Sequence, residues 1–162
     1  ASTKGADGSP PLFTDFTYDN LGVPRNADIP ATADPTYFDL GLCGPDRTDL
    51  GNRSELCGAF KVPTLRNVAT RKVFFHNGYF KTLREAVSFY VKRDTNPELW
   101  YPADASGAAQ KFNDLPEQYR KNVNVTEVPY NRQPNMPPAL SDSEVDDVVQ
   151  FLGTLTDGYK AQ

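Results

Sequence analysis

Histidine, methionine and tryptophan each occur once in this sequence, and cysteine twice. One histidine and two widely spaced cysteines do not make a four-ligand zinc site. No apolar run approaches the ~20 residues that a membrane-crossing helix needs, so no span is expected. Cationic residues are not in excess: 17 Lys and Arg stand against 21 Asp and Glu, a net charge of −4. That balance gives no basic footprint for nucleic acid and no polybasic membrane patch. There is no phosphate-cradling loop and no nucleophile–base pair. The chain opens ASTKGADGSPP, without an initiator Met or a leader. It is expected to be a processed protein or a fragment.

Proline and glycine are abundant, at 14 and 11 of the 162 residues. They predict short helices joined by long ordered loops. The length suits one domain with a real core, so 1–162 is read as a single domain with a flexible stretch at 1–11. The fold class expected is mainly α, with three or four helices and little or no sheet. Cys43 and Cys57 bound the turn-rich segment LCGPDRTDLGNRSELCG. A disulfide is expected there, closing a loop worth about 3 kcal/mol in the chain-entropy model. Two free buried thiols are the alternative. A bridge would imply an oxidising compartment.

Helix signals are local and specific. Pro63 in PTLRNVAT suits a first turn, with Leu65, Val68 and Ala69 on one face. VFFHNGYF then makes an aromatic turn broken at Asn77-Gly78. Thr82 to Glu85 is a capping box. It opens a helix with Leu83, Ala86, Val87, Tyr90 and Val91 on one stripe, and Lys92 and Arg93 suit its C-terminal end. Asn113 to Asn122 is a weaker helix candidate. Ser141 to Glu144 is a second capping box, with Val145, Val148, Val149, Leu152 and Leu155 on one face and Gly158 as the stop. Upstream, LFTDFTYDNLGV reads as a short extended segment packed on the core.

Four pieces stand in order: LFTDFTYDNLGVPRN, FKVPTLRNVA, FFHNGYFKTLREAVSFY and ALSDSEVDDVVQFLGTLTDGY. Together they resemble the C-terminal domain of the bacterial dihaem cytochrome c peroxidase and MauG family. The resemblance implies a cytochrome c-like domain, heme c as cofactor, and a periplasmic location. It also implies two partners: the family's N-terminal haem domain, and a redox donor or protein substrate. The departure is that no Cys-x-x-Cys-His attachment motif and no N-terminal domain occur in this sequence. With no nucleophile–base pair, phosphate loop or metal cluster, the chain alone is not expected to catalyse a reaction. The competing expectation is a haem-free, non-catalytic binding or structural domain held by a disulfide.

The resemblance also assigns residues. Tyr90 falls at the position where family members place Met or Tyr on the haem iron. The alternative is a core tyrosine with a hydrogen bond. His76 is placed beside the haem edge, with simple packing or ligation as alternatives. Arg66 is a candidate partner for a haem propionate, or else a surface or capping residue. Leu65 and Phe75 are expected to line the pocket that Tyr90 faces. Arg71 and Val73 match carbonyl positions of a calcium site that family members hold between domains. Met136, in QPNMPPAL, is expected to pack in a loop, and is the substitute ligand should Tyr90 be lost.

Overall fold

The computed structural model describes residues 11–160. The flexible stretch expected at 1–11 lies almost wholly outside the described residues. Among the described residues two α-helices form: α1, Leu83–Lys92, and α2, Asp142–Thr154. The sheet is a single antiparallel pair, β1 (Tyr18–Asp19) and β2 (Phe60–Lys61), with Tyr18 opposite Lys61 and Asp19 opposite Phe60. Loops and short 3-10 turns make up the rest, as the proline count implied.

Both capping boxes are present. Thr82 Oγ1 accepts from the Glu85 amide at 3.2 Å, and the Glu85 carboxylate accepts from the Thr82 amide at 2.9 Å. Ser141 and Glu144 make the same reciprocal pair at 3.3 and 2.8 Å. Each box satisfies amides that a helix start otherwise leaves unpaired.

Two other helix expectations are corrected. The PTLRNVAT segment does not form an α-helix, because Asn67 takes a left-handed conformation at φ 59°. That breaks the turn, and only the 3-10 segment Val68–Thr70 remains. Of its expected face, Val68 is buried while Leu65 and Ala69 are exposed. The Asn113 to Asn122 candidate reduces to a 3-10 stretch, Glu117–Asn122. Likewise α2 ends at Thr154, short of Gly158.

The core joins the two helices to an aromatic cluster. Phe89 of α1 and Val145 of α2 are fully buried. Around Phe89 stand Phe80, Trp100 and Tyr101, with ring centroids 5.0, 5.8 and 6.4 Å away. Tilted and edge-on contacts of this kind favour the ring quadrupoles. Val68, Val23 and Leu152 complete the cluster. Ion pairs Arg84–Asp146 and Lys92–Asp142, both at 2.6 Å, run between the exposed flanks of α1 and α2.

The loops are pinned by long-range bonds. Cys43 and Cys57 form a disulfide, with Cα atoms 4.7 Å apart. The Tyr101 hydroxyl donates to the Gly22 carbonyl at 2.6 Å. Arg93 caps α1 and is fully buried. Its guanidinium donates to Asp94 at 2.7 Å, to the Leu21 carbonyl at 3.0 Å and to the Asn124 carbonyl at 2.6 Å. A buried charge with every guanidinium nitrogen engaged is tolerated. Removing one partner strands the rest.

Two outcomes test this packing. Leu152→Ala should lower unfolding stability by about 2–5 kcal/mol in denaturant titration, because Leu152 sits in the shared core. Arg93→Leu should cost about 3–5 kcal/mol in the same measurement. A loss under ~0.5 kcal/mol in either variant would contradict the burial described here.

Candidate functional site

The helical stripe on α1 does not close against the core along its whole width. Leu83, Val87 and Tyr90 are half-buried, at i, i+4 and i+7 of one face. They form one wall of a cavity of about 540 Å³. That volume falls in the ~300–1,000 Å³ range of small-molecule and cofactor sites. Leu21 and Val23 come from the segment after β1, Phe60 to Leu65 from β2 and beyond, and Leu152 from α2. The lining is mostly apolar. Gly58, at φ 91°, lets the backbone pass close to the Asn20 side chain, where a Cβ would collide with the amide.

The aromatic turn supplies the next wall. A bridge from the Phe74 amide to the Phe80 carbonyl, at 3.0 Å, closes it. Phe75 takes φ 64°, a left-handed conformation uncommon for a bulky residue. Its ring meets Phe80, Phe89 and Tyr90 at centroid distances of 5.4, 5.5 and 5.4 Å. Packing on three sides holds the strained residue in place.

His76 follows. Its ring stacks on Phe60 at 3.6 Å and 5°, with the side chain only 16% exposed. Its Nε2 lies 3.6 Å from Asp114, an ion-pair distance when the imidazole is protonated. Asp114 also accepts from Asn77 at 2.9 Å and from Arg25 at 3.3 Å. Asn77 ties this group to the Pro24 carbonyl at 2.8 Å. The result is a largely buried polar network whose His76 and Asp114 form part of the cavity lining.

Tyr90 is a ligand-capable side chain on this cavity. Its hydroxyl makes no hydrogen bond among the described residues, and its pKa is pushed up to about 12 by burial and by the Asp19 charge. A neutral phenol is therefore the resting form. Tyr130 lies beside it on the same cavity, its ring 6.0 Å away.

The cavity brings together Tyr90, Phe75, Leu65 and His76. Arg71 and Val73 also reach it, at its exposed rim. Arg66 does not. Its guanidinium pairs with Asp157 at 2.9 Å, where Asn67 also holds the same carboxylate. Arg66, expected to meet a propionate, is not among the residues lining the cavity; Lys61 and Arg71 are. The calcium expectation at the Arg71 and Val73 carbonyls gains no support; the described residues also contain no cluster of three His, Cys, Asp or Glu able to hold a metal ion. Met136 is 50% exposed and lies off the cavity, so the nearby second side chain is Tyr130. Sequence reading missed Tyr130, Asp114 and Arg25. Their partners lie far away in the chain, and no local pattern marks them.

No family model matches the chain. It is 33% identical over 154 residues to the methylamine utilization protein MauG of Paracoccus denitrificans, covering 90% of this chain and 35% of that protein. Among solved structures it is similar to the diheme peroxidase BthA of Burkholderia thailandensis, at 47% identity and a TM-score of 0.81. A tyrosine-to-methionine variant of that peroxidase matches at 46% identity and the same TM-score of 0.81. Both matches cover 94% of this chain. A MauG-like protein associated with microbial copper homeostasis shares the fold alone, at 20% identity and a TM-score of 0.50. The chain spans 35% of the length of each of these relatives. No helix among the described residues is long and apolar enough to cross a membrane.

The Tyr90 environment predicts a titration. A phenol whose folded pKa is raised stabilises the fold below its unfolded value of ~10. That contribution is lost as pH climbs through the folded value. The difference in phenolate absorbance between wild type and Tyr90→Phe should therefore rise near pH 12, not 10. A difference centred at pH 10 would show the hydroxyl to be solvated.

Proposed function

The chain belongs by homology to the MauG and dihaem peroxidase family, and from that premise we propose that it is a haem-dependent redox domain with a cytochrome c-like fold. The observation that carries this reading is Tyr90, a phenol with no hydrogen-bond partner among the described residues, lining a mostly apolar cavity of about 540 Å³. The residues fit a haem. The half-buried α1 stripe and Phe75 offer flat apolar contact to a macrocycle, and Tyr90 would hold the iron. Lys61 and Arg71, exposed at the rim, would meet its propionates. A haem there supplies one-electron chemistry, and a phenolate ligand is the kind found in catalase, favouring the ferric and higher states.

The chain's own contributions follow from the geometry. The apolar wall excludes water, which keeps Tyr90 neutral until a cation compensates its charge. Losing its proton is therefore coupled to binding. The stacked His76 and its network to Asp114, Asn77 and Arg25 hold the wall near the macrocycle edge. In the family's longer proteins this domain would relay electrons, or share oxidising equivalents, with a peroxide-reactive haem in a neighbouring domain. A redox donor or a protein substrate would be the outer partner. The disulfide suits an oxidising compartment such as the periplasm. Because both cysteines are joined to each other, neither is available for a thioether to haem. Any covalent attachment of heme c thus needs a Cys-x-x-Cys-His segment that this sequence does not contain.

Ferric protoporphyrin IX supplied to the purified chain tests the reading. Saturable binding should raise the unfolding temperature and give a phenolate-to-iron charge-transfer band that Tyr90→Phe abolishes. No saturable binding, or a spectrum indifferent to Tyr90→Phe, would favour a haem-free structural domain instead.

A further inference from the structure

The cavity holds two phenols, and the second has no assigned role. Tyr130 is 7% exposed, yet its hydroxyl makes no hydrogen bond among the described residues. The hydroxyl is not among the fully enclosed unpaired atoms, so it opens onto the cavity that Tyr130 lines beside Tyr90, with rings 6.0 Å apart and tilted by 34°. The Arg93 guanidinium lies 4.4 Å from the Tyr130 ring centroid. A cation on the ring face draws density from the phenol and makes its O–H a better donor. It also fixes the ring, because Arg93 is itself locked by Asp94 and two backbone carbonyls. The competing acceptor, Asp19, is already engaged by the Asn20 amide at 2.8 Å and by Asn124 at 3.3 Å.

We propose that Tyr130 is a positioning residue for Tyr90, its hydroxyl donating a hydrogen bond to the Tyr90 oxygen once that oxygen carries negative charge. The inference rests on the haem reading of the cavity. With both phenols neutral, neither is forced to donate to the other. Were Tyr90 held as a phenolate, its proton released to solvent, the unengaged Tyr130 hydroxyl on the same cavity would gain a charge-assisted bond to it. That bond restrains the Tyr90 ring and reduces how much density its oxygen gives the metal.

Four forms of the chain test this: wild type, Tyr90→Phe, Tyr130→Phe and the double variant, each with ferric protoporphyrin IX. The readouts are the energy of the phenolate-to-iron band and the iron midpoint potential. Tyr130→Phe should keep the band but move it to lower energy, and should lower the potential, because an unrestrained phenolate donates more strongly. In the Tyr90→Phe background the same change should alter neither readout. The porphyrin-free unfolding midpoint should match wild type, since Phe keeps the ring under Arg93. A band and potential unchanged in Tyr130→Phe overturn the proposal and leave the haem reading standing. Equal shifts in the presence and absence of Tyr90 also overturn it, by showing an effect that does not pass through Tyr90. A wild-type chain lacking the phenolate band overturns the haem reading, and this proposal with it.

Discussion

The buried guanidinium of Arg93 is the constraint on which the rest of the fold depends. It sits at the C-terminal end of α1 with no exposure, bonded to Asp94 and to carbonyls on two separate loops. Lys111 completes the neutralisation of Asp94 at 2.6 Å. Moving a cation out of water is costly, and only full engagement offsets that. The arrangement therefore admits few alternatives. It fixes the Leu21 loop, the Asn124 loop and the Tyr130 ring relative to α1, and so sets the distance between two walls of the cavity.

A chain with so little regular structure needs other means of ordering its backbone. Side chains bonded to distant carbonyls do this. Arg25 reaches the carbonyls of Thr32, Asp34 and Tyr37, at 3.2, 2.9 and 2.9 Å, and gathers a loop around one guanidinium. The Asn26 amide donates to the Asn77 carbonyl at 2.8 Å, and Asn77 donates to the Pro24 carbonyl at 2.8 Å. The disulfide closes the loop between Cys43 and Cys57. Buried amides and carbonyls that strands would pair elsewhere find partners in this way. The loops become rigid enough to shape a cavity.

The same economy bears on chemistry. Tyr90 sits where the apolar stripe of α1 meets the aromatic turn, its ring 5.4 Å from Phe75. Burial resists ionisation of its hydroxyl. A wall that disfavours charge makes the site selective for something that brings the compensating charge with it. The polar network holds the turn from both sides: His76 and Asp114 line the cavity, while Asn77 and Arg25 anchor them from outside it.

Local sequence determined the parts whose physics is local. Thr82 with Glu85, and Ser141 with Glu144, start helices because cap and partner are three residues apart. The stripe from Leu83 to Tyr90 shares a face because α-helical spacing requires it. The pairing of Cys43 with Cys57 was readable because no third cysteine competes. Tertiary structure decided what depends on distant partners. Asn67 adopts a left-handed conformation and exchanges hydrogen bonds with Asp157, against the helix that Pro63 signals. Arg66 is drawn to the same carboxylate, 91 residues away and off the cavity. Arg93, which by position suited only a helix dipole, became a buried hub because carbonyls 31 and 72 residues away converge on it. Tyr130 joined Tyr90 for the same reason. A side chain's neighbours along the chain fix its conformation, but only the packed fold fixes which charges and hydroxyls it meets.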